Sequence, residues 1–85
     1  MIDPLQLVME ERARQDRKWG VQNHVDFYWL PILLEEIGEL SEAILLKYND
    51  EPERPIDPLA VRNELVEVCA VALAWLEALH RRETL

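Results

Sequence analysis

The sequence predicts an all-α chain: about three helices in an antiparallel bundle that homo-oligomerisation completes. Three observations predict it. Glycine is almost absent, with Gly20 and Gly38 the two in 85 residues, and no segment shows the apolar–polar alternation of a strand. Three stretches carry helical apolar spacing and are separated by turn chemistry. The last of them, from Leu65 to Leu76, reads LVEVCAVALAWL and is apolar on every side, as a helix is when other helices surround it. A chain of 85 residues is one domain, spanning 1–85, and struggles to bury a sufficient core alone. One cysteine excludes an internal disulfide, so a second copy is the expected source of stability.

The first helix is expected from about Pro4 to Lys18. Asp3 suits the N-cap, Pro4 suits the first helical position, and Leu5, Val8 and Met9 keep helical spacing. Arg12, Arg14, Arg17 and Lys18 fall in its later half, where cations complement the helix dipole. Trp19 to His24 is too polar and aperiodic to continue it and reads as a loop. The second helix is expected from near Asp26, a candidate N-cap, to about Asn49. Pro31 is accommodated if the true start is Trp29 or Leu30. Its expected core stripe is Leu30, Leu33, Ile37, Leu40 and Ile44. Three prolines between positions 52 and 58 mark the next connection. A third helix follows the cap-like Asp57, with Pro58 first, and runs to about Arg82. Cys69, inside its apolar run, is expected to be inert packing. Trp29 and Trp75 read as core or interface, and His80 as a surface group near a helix C-terminus.

Seventeen acids against nine Lys and Arg give a net charge of −8. Such acidity argues against a partner that is a nucleic-acid polymer or an anionic membrane. The longest uncharged apolar run, Val68 to Leu76, is far too short to span a bilayer. The N-terminus lacks a basic start followed by an apolar run, so a cytoplasmic protein is expected.

The acids are not spread evenly around their helices. On the second helix, at about 100° per residue, Glu36 and Glu39 border the apolar stripe while Glu35 and Glu42 project oppositely. On the third, Glu67 alone interrupts the apolar run and Glu64 stands one turn earlier. Both share a face with Ala60, Val71, Trp75 and Ala78. No Lys or Arg occurs from Asn63 to His80. An ionised carboxylate there demands a partner or a raised pKa. Two such pairs on neighbouring antiparallel helices can converge on one cluster, for which Mg²⁺ or Mn²⁺ is the expected counter-charge, since hard cations take carboxylate oxygens and keep waters for a phosphate ligand.

The run Glu35-Glu36-Ile37-Gly38-Glu39, followed by Glu64-Leu65-Val66-Glu67, resembles the EExxE…ExxD signature of the MazG-like all-α nucleoside triphosphate pyrophosphohydrolases. Dimeric dUTPases and dCTP pyrophosphatases belong to the same superfamily. Arg17-Lys18-Trp19 with Gln22-Asn23-His24 is similar to the RxWxxxH stretch that precedes the first motif in the dCTP branch. The likeness runs from about Arg12 to Arg82. It implies Mg²⁺-dependent hydrolysis of a nucleoside triphosphate to the monophosphate and pyrophosphate, as in cleansing of the nucleotide pool, by a homodimer or homotetramer. Under it, Glu36, Glu39, Glu64 and Glu67 are the metal ligands, and Glu35, Glu36 and Glu39 the catalytic carboxylates. Glu67 departs from the usual aspartate, and its extra methylene shifts the carboxylate by about 1.5 Å.

Trp19 offers a stacking surface, and Asn23 and His24 offer hydrogen bonds to a base edge. Lys47 and Arg62, with Arg81 and Arg82, are the candidate phosphate contacts, each of them also readable as an ordinary surface cation. Two other classes compete. A carboxylate-bridged di-iron bundle needs Glu-x-x-His pairs, and neither His24 nor His80 follows a glutamate by three. A non-catalytic oligomeric bundle that keeps the fold as an interaction protein is the remaining alternative.

Overall fold

The computed structural model describes residues 3–47 and 57–83, and they form three α-helices. The first, α1, spans Pro4–Trp19. Asp3 caps it as expected, its carboxylate accepting from the Leu5 amide at 3.0 Å. Gly20 ends it with φ of 72°, and its N–H reaches the Asp16 carbonyl at 2.9 Å. Only glycine takes that left-handed φ without a steric cost. Trp19 is therefore the last helical residue rather than the first of the loop.

The second helix, α2, spans Asp26–Lys47. It starts at Asp26, as expected, and not at the later Trp29 or Leu30 that would ease Pro31: the Val25 carbonyl already accepts from the Tyr28 and Trp29 amides at 3.0 and 3.1 Å. Pro31 thus lies inside the helix and cannot return a bond to the Phe27 carbonyl, four residues back. Asp26 is within the first turn, and its carboxylate serves α3 instead of capping α2. The expected extension to Asn49 and the proline-rich connection up to residue 56 lie outside the described residues.

The third helix, α3, spans Ala60–Glu83. Asp57 accepts from the Leu59 amide at 2.9 Å, so the expected capping residue works across a short turn, and Pro58 precedes the helix rather than opening it. Among the described residues α3 is the centre of the molecule: α1 and α2 each pack on it and not on one another. It returns along α2. Asp26 at the start of α2 receives the Trp75 indole N–H at 2.8 Å and Arg82 at 3.2 Å, both late in α3. Arg12, buried on α1, joins Glu77 of α3 at 2.7 Å and Asp16 at 3.1 Å.

The core is small and one-sided. Trp29 is 1% exposed and packs with Val71, Ala74 and Ala78 of α3, flanked by Ile32, Leu33 and Trp75. The expected stripe on α2 therefore merges two faces. Leu33 faces α3, but Leu30, Ile37 and Ile44 are exposed. The expectation of a surrounded α3 also changes on the single chain. Ala70, Val71, Ala74 and Ala78 are buried, while Leu65, Cys69 and Leu76 are exposed, because two helices cannot cover a third on every side. Principal extents of 54 × 32 × 18 Å fit two helix layers at most, a helix with side chains being about 10–12 Å across.

Candidate metal centre and adjoining pocket

Because α3 returns along α2, the two glutamate pairs meet at one level. One carboxylate oxygen from each of Glu36, Glu39, Glu64 and Glu67 lies within 4.8 Å of the others. Glu36, Glu64 and Glu67 are half-buried and Glu39 is exposed. Burial pushes the Glu36 carboxyl up to about 7, helped by hydrogen bonding with Glu67 and by the charge of Glu39. Glu64 is raised as well, by burial first and then by Glu67 and Glu39. Glu36 Oε2 and Glu64 Oε2 are both buried with no hydrogen-bond partner. Four acids so placed are tolerated together when protons neutralise some of them or a cation offsets their charge. The donor set suits a hard divalent ion: all oxygen, from two helices, and open on the Glu39 side.

Glu35 and Glu42 are exposed and stand outside the cluster, as the helical wheel expects.

A cavity of about 460 Å³ opens beside the carboxylates, over α3 and between α1 and α2, whose backbones do not approach one another closely. Glu36 and Glu67 line one end, and Trp19, Gln22 and His24 line the other. The His24 ring packs on Tyr28 and edge-on to Trp29, with centroids 4.5 and 5.0 Å apart. His24 Nε2 and the Trp29 indole nitrogen are buried without hydrogen-bond partners, and both residues line the cavity. Trp29, expected in the core or at an interface, is in the core and lines the cavity as well.

The cations along this wall come from α1. Arg14 is gripped by Glu11 through two bonds of 2.6 and 2.7 Å and stands close enough to feel the charges of Glu67 and Glu36. Lys18 lies 4.8 Å from the Trp19 ring centroid. Both line the cavity with Glu11 and Gln15, one face of α1 at i, i+3, i+4 and i+7. That spacing was visible in the sequence; which helix it faces was not.

Other expected contacts fall elsewhere. The Asn23 side chain accepts from Arg81 Nε at 2.9 Å, and Arg81 also holds the Gln22 carbonyl at 3.0 Å, so this pair anchors the loop to α3 and Asn23 does not line the cavity. Arg82 is committed to Asp26. Arg62 is exposed, bonds Asn63 at 3.1 Å, and borders a different, apolar depression near Leu65 and Cys69. The Lys47 side chain lies outside the described residues. In comparison with known proteins, no family model, no curated protein and no solved structure matches the chain.

Proposed function

We propose that the chain is a Mg²⁺-dependent nucleoside triphosphate pyrophosphohydrolase, yielding a nucleoside monophosphate and pyrophosphate. The observation that carries this reading is the juncture of four converging carboxylates with a cavity bearing cations at one wall and an aromatic–imidazole end. The resemblance of the two glutamate motifs and the Trp19–His24 stretch to the MazG-like superfamily agrees with it.

Glu36, Glu39, Glu64 and Glu67 would hold the metal, Mg²⁺ or Mn²⁺. When bound, the ion supplies Lewis-acid stabilisation of phosphate oxygens and a water acidic enough to attack. The protein's own residues do the rest. Glu36 and Glu39, the catalytic carboxylates of this reading, would act as ligands that hold the metal where it can activate an attacking water. Arg14 and Lys18 offset the phosphate charge that the carboxylates would otherwise repel, Arg14 being held in place by Glu11. Trp19 offers a face for base stacking, and His24 and Trp29 offer ring nitrogens to a base edge. Glu35 supports the cluster from outside.

In this reading the helices form an antiparallel bundle that a second copy completes, and the protein works in the cytoplasm. No helix among the described residues is long and apolar enough to cross a membrane. The deciding experiment is pyrophosphate release from a panel of ribo- and deoxyribonucleoside triphosphates with Mg²⁺. Release that disappears with chelator and in Glu67→Gln supports the proposal. No release from any nucleotide, with no Mg²⁺ or Mn²⁺ binding by calorimetry, leaves the non-catalytic bundle in its place.

A further inference from the structure

The side of α2 turned away from the carboxylates is as apolar as the side that bears them. Phe27, Leu30, Leu34, Ile37, Ser41 and Ile44 follow one another at spacings of three and four, the seam of a helix made to pack on another. All six are exposed, Phe27 at 92% and Leu34 at 56%. A second seam of the same period runs along α3: Arg62, Leu65, Cys69, Ala72, Leu76 and Leu79. Leu76 is 62% exposed, and Leu65 and Cys69 are exposed too.

The two seams lie on one side of the molecule. Each is rotated by roughly 120–140° from the line joining the helices, in the same rotational sense along its own helix. Because α3 returns along α2, equal rotations bring both seams to the same side. The α3 residues that meet α1, such as Glu77, are rotated the other way, so α1 covers the opposite side. The large apolar side chains on this face expose on the order of 800 Å² per copy, what one partner contributes to a stable interface and more than the largest patch of a typical monomer.

We propose that this face is the contact between two copies of the chain, related by a two-fold axis parallel to α2 and α3, so that α2 of each copy stacks on α3 of the other. This takes up the self-association in the proposed function and names its surface. The register supports a second copy over any other occupant. Glu36 beside Glu67 and Glu39 beside Glu64 fix the relative level of the helices. At that register Phe27 stands level with Leu76, Leu30 with Ala72 and Leu73, Leu34 with Cys69, and Ile37 with Leu65 and Val66. A two-fold along the helices keeps those levels and exchanges the partners, placing Leu30 and Leu34 over the small Ala72 and Cys69. Neither seam carries a charge between its ends. The site cavity opens on the other side and stays free.

The test uses the full chain in three forms. Sedimentation at micromolar concentration is expected to give a dimer for the native chain and no dimer for Leu34→Asp, a substitution that acts through the partner because Leu34 is exposed on the single chain. Leu34→Cys, oxidised under mild conditions, is expected to crosslink to the partner's Cys69, and Leu34→Cys with Cys69→Ser is expected not to. A folded native monomer, or a Leu34→Asp chain that remains dimeric, overturns the proposed face. A crosslink that survives Cys69→Ser means that α2 stacks on α2 and overturns the proposed axis, as does failure of Leu34→Cys to crosslink. None of these readouts needs turnover, so a dimer that releases no pyrophosphate defeats the proposed function and leaves this interface standing.

Discussion

Glu36 concentrates the chemistry of the site in one carboxyl. Its ordinary value of 4.5 is raised to about 7, chiefly by burial. Between those values the folded chain keeps a proton that the unfolded chain has released, so stability falls as pH rises through the window. The contribution is complete below the unfolded value and lost above the folded one. Melts in chelator are therefore expected to show a lower Tm at about pH 8 than at about pH 5, with Glu36→Gln flattening the difference and Mg²⁺ restoring stability on the alkaline side. A native chain whose alkaline Tm ignores Mg²⁺ would remove the metal centre. In activity, Glu36→Gln should cost on the order of a hundredfold or more, because losing a group that merely supports a ligand already costs about 10–100-fold. Trp29 poses a different question at the same scale. Its indole N–H is buried without a partner, yet the ring is the largest side chain in the core. Trp29→Phe removes that donor and keeps most of the ring, so stability should change by less than about 1.5 kcal/mol. If the N–H serves a nucleotide base, KM rises while Tm stays, and steady-state kinetics beside a melt separates the two.

At the scale of elements, the expected α2 start near Asp26 holds, and the later start that Pro31 would favour does not. Placing the helix start at Trp29 or Leu30 spares the missing amide; the observed start at Asp26 leaves the Phe27 carbonyl without its helical donor. Pro31→Ala should then stabilise the chain by about 1–2 kcal/mol, the regained bond outweighing the greater freedom of the unfolded chain. Urea denaturation measures it, and no gain would mean that the first turn is not helical in solution. The caps were legible because Asp3-Pro4 and Asp57-Pro58 are local chemistry. The face of α2 was not. Both of its sides are apolar, and periodicity shows that a stripe exists without showing which of Leu30 or Leu33 meets α3. The carboxylate pairs were legible for the opposite reason, since Glu64 and Glu67 stand out against an apolar, cation-free helix. Arg14 and Lys18 were read as dipole partners of α1, because only the crossing of α1 over α3 turns them toward the cavity. That crossing is held by Arg12, whose guanidinium bridges Glu77 and Asp16. Glu77 is partly exposed and rehydrates when abandoned, so Arg12→Ala should cost about 1–3 kcal/mol rather than the full cost of stranding a buried charge.

For the whole molecule the decisive quantity is the net charge of −8 against a polyanionic substrate. In the stretch 35–53, seven acids stand against one lysine, and two of them, Glu36 and Glu39, belong to the carboxylate cluster. Two fields therefore act on an approaching nucleotide over different lengths. The repulsion of the whole chain is long-ranged and reaches across its 54 Å extent. The attraction of a bound metal with Arg14 and Lys18 acts inside the cavity. Salt separates them, because the Debye length shrinks from about 30 Å at 0.01 M to about 10 Å at 0.1 M. Added monovalent salt should thus screen the repulsion first and raise kcat/KM over that range, with kcat little changed, since the bound complex is held at short distance. Past about 0.5 M the attraction is screened too and kcat/KM should fall. A steady decline from the lowest salt onward would mean that the cationic wall already governs the encounter at long range, and that the excess acids are neutralised in solution before any substrate arrives.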